Sequence, residues 1–419
     1  MIAILRERDF RLLWTGQLLS SLGSWLLLVA VPYRVFQLTG SPAATGLTFV
    51  IGSVPGVLLG PIAGLLVDRW DRRLTMLAVD LGRAGSILPL LLVREPSQVW
   101  VVYAALLVES VLGQLFDSAA LALVPAMVGR GSGLAAANAL LSAVAAGSRL
   151  AGASLGGIVF TAWGLGVLVS ADAGSYLASA LSLLLLGWRP AAASGADRDR
   201  RSIRDTGTEL VQGLRHLGAS RSLRGLVVVT ATFLGANGAF TALLVPYVRL
   251  RLHGTAGDLG LLLAATGAGF LVGAPVGRLL LDRVGPRITV TSSLLATGAG
   301  FLAWFNTDRP GPALALAALT GASAVVFLVG RRTFLQELTP DSLLGRAGAT
   351  VLAAEAAATL AGTAVGGAAA GIVGPNPTAD AAGVAILVSA LLAAVLLGDD
   401  RERDTGSGQG RGFGTVFRR

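Results

Sequence analysis

Ionisable residues inside long apolar runs are the groups in this sequence that could do chemistry. Placing one of them in a bilayer costs about 2.5–3.5 kcal/mol on insertion scales, so each is expected to face a cavity or a partner. The candidates are Asp80, Arg83, Glu109, Asp117, Arg149, Asp172, Arg278 and Glu355. Buried carboxyl and guanidinium groups bind protons, ions and charged ligands, so these residues predict coupling and recognition rather than bond cleavage.

Three of these residues fall near the middle of their predicted helices. At about 1.5 Å per residue, Glu109 and Arg149 reach the same depth, which predicts a buried pair. Such a pair is either a proton or substrate switch or a static structural contact. Glu355 has no positive neighbour in its own helix. Because a lone buried carboxyl group tends to stay protonated, Glu355 is either a proton-coupling site or a hydrogen-bond donor in a small-residue interface.

The remaining candidates lie nearer the ends of their predicted helices. Asp80 and Arg83 lie one turn apart at about the depth of Asp117, and we interpret them mainly as structural support near the inner surface. Asp172 lies within two turns of the predicted outer surface, which favours a packing or outer-gate role over proton transfer. Extension toward the cytoplasmic interface is predicted for Arg278, Arg331 and Arg332.

The composition indicates a polytopic membrane protein and excludes common enzymatic sites. Of the 419 residues, 53% are hydrophobic and 14% are charged. Cysteine and lysine are absent, and the histidines are His216 and His253, so thiolate metal sites, histidine triads and lysine-dependent phosphate loops are excluded. We therefore expect no metal, no cofactor and no enzymatic activity. We interpret the net charge of +9 as a topology signal rather than a nucleic-acid surface.

Twelve apolar segments are long enough to cross a bilayer, which takes about twenty residues. They cover 12–35, 43–67, 74–93, 99–128, 136–160, 165–188, 223–248, 259–281, 288–305, 313–338, 345–373 and 381–397. The sequence thus predicts an all-α membrane protein of two pseudo-symmetric six-helix halves. The predicted parts are a first half (1–188), a cytoplasmic linker with an amphipathic helix (189–222), a second half (223–397) and a disordered cytoplasmic tail (398–419). Arginines collect in alternate loops, which predicts that both termini are cytoplasmic.

The loop between the second and third predicted spans has a distinctive glycine and charge spacing. It contains Gly60, Gly64, Asp68, Arg69, Asp71, Arg72 and Arg73, and a weaker copy in the second half contains Gly277, Asp282 and Arg283. Small residues four apart allow close helix packing in lipid, and the arginines fix the cytoplasmic side. Beyond topology, we predict that Asp68 is a gate latch that accepts hydrogen bonds or an ion pair from the opposite half.

A second repeated motif supports the division into halves. Its glycines lie at the same spacing in the fifth and eleventh predicted spans, at Gly152, Gly156 and Gly157 and at Gly362, Gly366 and Gly367. We interpret all of them as helix-packing positions. A parallel repeat of this kind predicts a central site that becomes accessible from each side in turn as the halves rock.

These motifs resemble the major facilitator superfamily, and within it the bacterial efflux permeases that include enterobactin-exporter-like and macrolide-efflux-like proteins. The loop at 60–73 resembles the superfamily's signature loop in sequence and position, and the phrase D-A-G-S-Y-L at 172–177 resembles the same branch. The resemblance implies the major facilitator fold and an export activity. The sequence departs from that pattern at Glu109, where many proton-coupled members have arginine, at Ala153, where the antiporter motif usually has proline, and at Ser24, where the branch commonly has an acid.

The resemblance and the buried charges together predict a monomeric secondary transporter in the bacterial cytoplasmic (inner) membrane. We expect it to export amphiphilic, drug-like or siderophore-like small molecules by alternating access. Proton-coupled antiport is the expected energy source, with protons and the lipid bilayer as partners and no nucleic acid. The alternatives are an uncoupled or uptake permease and a non-transporting receptor with a transporter fold.

Overall fold

The computed structural model describes residues 2–67, 70–129, 131–187 and 221–397, and the regular elements in these ranges are helices. Their bounds are α1 (Arg8–Thr39), α2 (Pro42–Val67), α3 (Arg72–Ile87), α4 (Val99–Val128), α5 (Ser132–Leu184), α6 (Arg221–Leu250), α7 (Ala256–Asn306), α8 (Pro310–Leu338), α9 (Asp341–Val373) and α10 (Pro375–Leu396). Short 3₁₀ helices cover Ile2–Arg6, Leu88–Leu92 and Pro96–Gln98.

We call residues 2–187 the amino-terminal stretch and residues 221–397 the carboxy-terminal stretch. The amphipathic helix predicted in the linker and the predicted tail both lie outside the described residues. Within the described ranges, the all-helical architecture agrees with the sequence prediction.

Two of the ten described helices that could cross a membrane are much too long for a single crossing. The hydrocarbon core is about 30 Å thick. At about 1.5 Å per residue, the 53 residues of α5 and the 51 residues of α7 would each extend about 80 Å if straight. Each helix is interrupted by a glycine with a left-handed backbone, Gly164 at φ 76° and Gly285 at φ 77°. Because glycine has no Cβ, it permits this change of direction at little cost.

The chain reverses direction at Gly164, and both arms of α5 lie along α1. In the first arm, residues 152–156 lie beside residues 22–26 of α1 in the same order, so this arm runs parallel to α1. In the second arm, residues 172–182 lie beside residues 16–23 in the reverse order. The two arms of α5 are therefore antiparallel to each other.

The carboxy-terminal stretch has the same arrangement around Gly285. In the first arm of α7, residues 269–277 lie beside residues 318–329 of α8 in the same order. In the second arm, residues 289–300 lie beside residues 320–330 in the reverse order. Because both arms pack on one helix in opposite directions, the chain turns back at this glycine as well.

The chain begins and ends its described helices at one face of the bundle, which we call the terminal face. There the Gly187 N–H, just after α5, donates to Asp9 at the start of α1 at 3.1 Å. Gly225, near the start of α6, lies against Leu396 at the end of α10. The other end of the bundle, which includes the bend at Gly164, we call the opposite face.

Buried apolar residues form one large cluster and two small ones. The large cluster combines residues of both stretches, including Tyr33 of α1 and Tyr247 of α6. One small cluster surrounds Phe10 and lies in the amino-terminal stretch, and the other surrounds Leu223 and lies in the carboxy-terminal stretch. Both small clusters are at the terminal face. The residues that the amino-terminal stretch contributes to the large cluster, such as Tyr33 and Phe160, lie away from that face, whereas those of the carboxy-terminal stretch extend to it at Leu226 and Leu397.

Candidate functional site

A network of hydrogen-bonded side chains occupies the middle of the amino-terminal stretch. Arg83 of α3 donates from Nε and Nη2 to Oε1 of Glu109 on α4, at 3.1 and 2.6 Å. The same oxygen accepts the Tyr176 hydroxyl at 2.9 Å, and that hydroxyl lies 2.9 Å from the hydroxyl of Ser24 on α1. The network thus connects α1, α3, α4 and the second arm of α5.

Aromatic rings cover the Arg83 guanidinium. Its central carbon lies 4.2 Å from the centroid of the Tyr176 ring and 6.0 Å from that of Phe116. The side chains of Arg83 and Glu109 are 11% and 21% exposed, so the pair is mostly but not fully buried. A guanidinium can bond a carboxylate in its plane while its face stacks on a ring, which makes arginine suited to this position.

The predicted pairing of Glu109 with Arg149 is wrong. Arg149 is exposed, and its guanidinium lies 5.4 Å from the centroid of the Trp25 ring. Glu109 binds Arg83 of α3 instead. Counting residues gives the depth of Glu109, but it cannot show which neighbouring helix the side chain faces.

Asp172 lies close to this network on the second arm of α5. Its carboxyl group is almost fully buried, and Ser175 Oγ donates to its Oδ1 at 3.3 Å. A side chain at Gly23 of α1 would overlap the same oxygen. Because the charges of Arg83 and Glu109 act on Asp172, it belongs electrostatically to the network.

A cavity of about 270 Å³ lies beside the network, between α1, α2, α4 and the second arm of α5. Its polar wall includes Ser24, Glu109, Asp172 and Tyr176. Its apolar wall includes Trp25, Leu28, Phe49 and Leu106. A cavity with a few convergent polar groups and a larger apolar wall is typical of small-molecule sites.

Two further carboxyl groups near Arg83 have different surroundings. Asp80 is fully buried beside Ser179 of the second arm of α5. Asp117 is exposed, although its charge interacts with Arg83 and Glu109. The support role predicted for Asp80 stays a prediction.

A second arginine–glutamate pair lies in the carboxy-terminal stretch. Arg331 of α8 bonds both carboxylate oxygens of Glu355 on α9, and the bond from Nη2 to Oε2 is 3.1 Å long. The two side chains are 19% and 13% exposed. The predictions of an unpaired Glu355 and of an Arg331 that extends to the cytoplasmic interface are therefore wrong. The partner comes from a neighbouring helix, which the sequence of α9 cannot reveal.

The loop between α2 and α3 is described only in part. Asp68 and Arg69, on which the latch prediction depends, lie outside the described residues. Gly60 and Gly64 lie within the last turns of α2. Asp71 caps α3, because its carboxylate accepts the Leu74 N–H at 2.9 Å.

The loop arginines bind carbonyl groups of neighbouring helices. Arg72 donates to the Ala122 carbonyl of α4 at 3.0 Å. Arg73 donates to the carbonyls of Leu183 and Leu184, at the end of α5, at 2.8 and 2.7 Å. Carbonyls at the end of a helix lack partners and carry the negative end of the helix dipole, so a cation is favoured there.

The weaker copy of the loop contains a matching contact. Arg287 donates to the Ala394 carbonyl near the end of α10 at 2.6 Å. Gly277 is buried against α8. The exposed side chains in this region include Arg278, Asp282 and Arg283. A loop arginine therefore binds the end of the last helix in both stretches.

The first two glycines of each small-residue motif pack within their own stretch. Gly152 and Gly156 lie against α1, and a Cβ at Gly152 would be 2.5 Å from the Cβ of Trp25. Gly362 and Gly366 lie against α6 in the same way. Small residues allow these backbones to approach closely.

The third glycine of each motif contacts the other stretch. A side chain at Gly157 would overlap the carbonyl oxygen of Ala256 in α7. A Cβ at Gly367 would be 3.2 Å from the Cα of Gly46 in α2. These two positions therefore belong to the interface between the stretches.

Two polar contacts also join the stretches near the opposite face. Arg249 of α6 donates to the Tyr33 hydroxyl of α1 at 3.3 Å, and its guanidinium lies 5.7 Å from the Tyr33 ring centroid. The Gly257 N–H, at the start of α7, donates to the Thr161 hydroxyl at 2.9 Å. Sequence reasoning missed both contacts, because their members are far apart in the chain.

Sequence reasoning also missed Tyr176 as a member of the network. It lies one helical turn after Asp172, so the two side chains share a face of the second arm of α5. That spacing was an available signal. Without knowing that Glu109 and Ser24 face the same point, however, a tyrosine in an apolar helix is equally typical of packing.

An all-helical, multispan fold around a cavity with buried charged groups defines this protein as a membrane transporter of the major facilitator superfamily. A family model described as a transmembrane secretion effector matches residues 1–405. The chain belongs to that family. The superfamily resemblance predicted from the sequence is confirmed.

Curated relatives include named exporters. Enterobactin exporter EntS of Citrobacter koseri is 28% identical over 407 residues, which cover 94% of this chain and 92% of that protein. Macrolide efflux protein A of Streptococcus pyogenes is 27% identical over 173 residues, or 41% of this chain and 42% of that protein. The uncharacterised transporter YfiS of Bacillus subtilis is 32% identical over 187 residues, or 43% of this chain and 42% of that protein.

Solved structures of transporters share the fold. The nucleoside transporter NupG matches with a TM-score of 0.72 at 13% identity, over 93% of this chain and 98% of that one. A bacterial homologue of the iron transporter ferroportin, in its inward-facing state, matches with a TM-score of 0.69 at 16% identity, over 93% and 98% of the two chains. At this identity the similarity establishes the fold and not the substrate.

Proposed function

We propose that this chain is a monomeric exporter of amphiphilic small molecules in the bacterial cytoplasmic membrane, working by alternating access and proton antiport. The observation that carries the proposal is a cavity with acidic and aromatic walls, in a bundle whose two stretches, as far as they are described, contact each other toward the opposite face. The names of the relatives, an enterobactin exporter and a macrolide efflux protein, support the direction and the substrate class.

In this proposal the chain crosses the membrane twelve times. The chain reversals at Gly164 and Gly285 support this number, because each divides one of the ten long helices into two spans. Six spans then fall in residues 1–188 and six in 223–397. An even number places both termini on the same side, and the arginine-rich loops favour the cytoplasm for the termini, the linker at 189–222 and the tail at 398–419.

The pseudo-symmetry of the two halves is supported by matching contacts. Arg73 and Arg287 each bind the carbonyl end of the last helix in their own stretch. Gly157 and Gly367, at the same place in their motifs, each contact the other stretch. Equivalent residues with equivalent contacts are what a parallel repeat predicts.

Alternating access is supported by the uneven contact between the stretches. Tyr33 with Arg249 and Thr161 with Gly257 join them toward the opposite face, while among the described residues the two small apolar clusters at the terminal face each lie within one stretch. With the terminal face cytoplasmic, this arrangement is inward-open. Rocking about the glycine contacts would then open the opposite face.

The test uses energised inside-out vesicles that contain the protein. A pH-sensitive dye reports the proton gradient while a panel of amphiphilic compounds and siderophores is added. We expect some compounds to dissipate the gradient with the wild type and not with Asp68→Asn or Glu109→Gln. The control is Asp308→Asn, an exposed acid in the short loop between α7 and α8.

The possible outcomes separate the proposal from its alternatives. If labelled compounds equilibrate without any change in the gradient, the protein is an uncoupled permease. If compounds bind but no labelled compound crosses the membrane, the receptor alternative replaces the exporter. If Asp68→Asn transports normally at normal abundance, the latch role of Asp68 is wrong.

A further inference from the structure

Around Arg83, carboxyl groups outnumber positively charged groups. The carboxyl groups whose charges interact with one another and with this arginine belong to Asp80, Glu109, Asp117 and Asp172. Arg149, which was predicted to pair with Glu109, is exposed, and its guanidinium faces the ring of Trp25. Since unpaired carboxylates are costly in an apolar interior, this region needs additional protons or cations to neutralise it.

Two of these acidic residues, Glu109 and Asp172, line the cavity. Among the described residues, the three hydrogen bonds to Glu109 all end on Oε1, so Oε2 is available to a ligand. Asp172 accepts its hydrogen bond from Ser175 on Oδ1. Both oxygens that are free of these bonds therefore belong to residues on the same wall of the cavity.

The rest of the cavity suits an apolar body. Trp25 and Phe49 contribute aromatic rings, and most of the remaining lining is aliphatic. Aromatic faces attract cations, and a cation without tightly bound water is easily moved from water to such a wall. A delocalised or substituted ammonium or phosphonium ion has this chemistry, whereas a free carboxylate ligand would meet two acids.

We propose that this cavity binds amphiphilic organic cations, with the positive group against Asp172 and Glu109 and the apolar part against Trp25 and Phe49. This inference rests on the proposed transport function and names its substrate class. The cation replaces a proton on the carboxyl group of Asp172, so the proton leaves to water as the Asp172 carboxylate pairs with the ligand. The site therefore holds either the cation or the proton, and this exchange couples export of the cation to import of a proton.

The experiment measures binding of radiolabelled tetraphenylphosphonium to the purified full-length protein in detergent micelles, with empty micelles subtracted. Tetraphenylborate, which has the same shape and the opposite charge, is the competitor that tests for charge recognition. We expect saturable binding that tetraphenylborate does not displace. We also expect release of protons on binding, measured with a pH dye in weakly buffered solution.

Variants then locate the site. We expect Asp172→Asn to weaken tetraphenylphosphonium binding at least tenfold and to abolish most proton release, because the amide keeps the size and loses the charge. Trp25→Leu should weaken binding about three- to tenfold by removing the ring. Asp308→Asn is the matched control and should bind like the wild type. Melting temperatures and gel-filtration profiles establish that each variant is folded.

Three results would overturn the inference. They are the absence of saturable binding, equal competition by tetraphenylborate, and wild-type affinity in the folded Asp172→Asn and Glu109→Gln variants. The cation site and the proposed export function can be disproved independently of each other. If vesicles export neutral or anionic amphiphiles while tetraphenylphosphonium does not bind, export stands and the cation site is wrong. If tetraphenylphosphonium binds at Asp172 but never crosses the membrane, the site stands and transport is wrong.

Discussion

The two arginine–glutamate pairs of this molecule have the same composition and different surroundings. Arg83 and Glu109 are bonded to Tyr176, covered by rings, and accompanied by additional carboxyl groups and a cavity. Arg331 and Glu355 bond each other through two nitrogens and two oxygens, one charge against one. Acidic charge is in excess around the first pair, whereas the second pair is balanced within itself and its charged neighbour is the exposed Arg332.

This difference indicates different roles for similar chemistry. A balanced, two-bond pair holds two helices together and has little reason to exchange its partner. A carboxylate with one occupied oxygen, beside other acids and a cavity, can respond to a proton or a ligand. We therefore expect the amino-terminal pair to govern transport and the carboxy-terminal pair to govern stability.

The largest expected effect tests whether the two pairs belong to bodies that move separately. Cross-linking Thr161→Cys to Gly257→Cys with a short thiol reagent should abolish transport, because it fixes the contact between the stretches near the opposite face. The natural chain has no cysteine, so no other site reacts. Vesicle transport before and after reduction of the link measures the effect.

The matched control for this experiment joins Asp9→Cys to Gly187→Cys, which lie in contact within the amino-terminal stretch. That link should leave transport unchanged. If it stops transport as completely as the first, or if the first has no effect, the stretches do not rock as separate bodies.

The next effect compares the two glutamates directly. Glu109→Gln should lower transport at least tenfold, because it removes the negative charge that interacts with the ligand and leaves Arg83 without its partner. Glu355→Gln should mainly lower the melting temperature. Transport rates per folded molecule and thermal unfolding separate the two outcomes.

A double variant sharpens this comparison. Removing both partners of a structural pair avoids an unpaired charge, so Arg331→Gln with Glu355→Gln should regain stability and keep its transport activity. Arg83→Gln with Glu109→Gln should regain stability and remain inactive. Equal recovery of transport in both double variants would show that neither pair is part of the mechanism.

A smaller effect is expected where the two stretches are alike. Arg73→Ala and Arg287→Ala each remove a cation from the end of a helix, which is worth about 0.3–1 kcal/mol at exposed sites and up to about 2 in partly buried ones. Both should lower the melting temperature by a few degrees. A loss confined to Arg73→Ala would show that the loops differ in role despite matching contacts.

The smallest expected effect is that of one hydroxyl group in the network. Tyr176→Phe keeps the ring over Arg83 and removes one bond to Glu109, and such bonds average about 0.6 kcal/mol inside membrane proteins. We expect a two- to threefold change in transport. Tyr247→Phe is the control, because that hydroxyl bonds the carbonyls of Trp304 and Thr307 away from the network. A change in stability without a change in transport would make Tyr176 purely structural.

The class of fold and the candidate residues were accessible from the sequence because hydrophobicity and charge act locally. A charged residue such as Glu109 or Glu355 interrupts an apolar run, and its rarity there identifies it. Their partners were not accessible. Arg83 and Arg331 approach from neighbouring helices, and a helix does not specify in its own sequence which neighbour it will face. For this reason the predicted Glu109–Arg149 pair and the lone Glu355 were both wrong.

Within one short segment, the glycine motifs also separate what the sequence predicts from what only the structure shows. Their spacing predicted close packing, since small residues on one helical face allow two backbones to approach. Spacing does not distinguish Gly156, which packs against α1 of its own stretch, from the adjacent Gly157, which contacts α7 of the other. Neighbouring residues on a helix point about 100° apart, so their partners differ once the helices are assembled.

By itself, the sequence determined that this chain forms apolar, membrane-spanning segments with charged residues inside them. These properties follow from the length, hydrophobicity and local charge of each segment, and they hold before any helix meets another. Only the tertiary structure decided which charges are paired, that Tyr176 and Asp172 join Glu109 around one cavity, and where the two stretches contact each other. Those features depend on the positions of several helices together, because each contact is made by residues that are far apart in the chain.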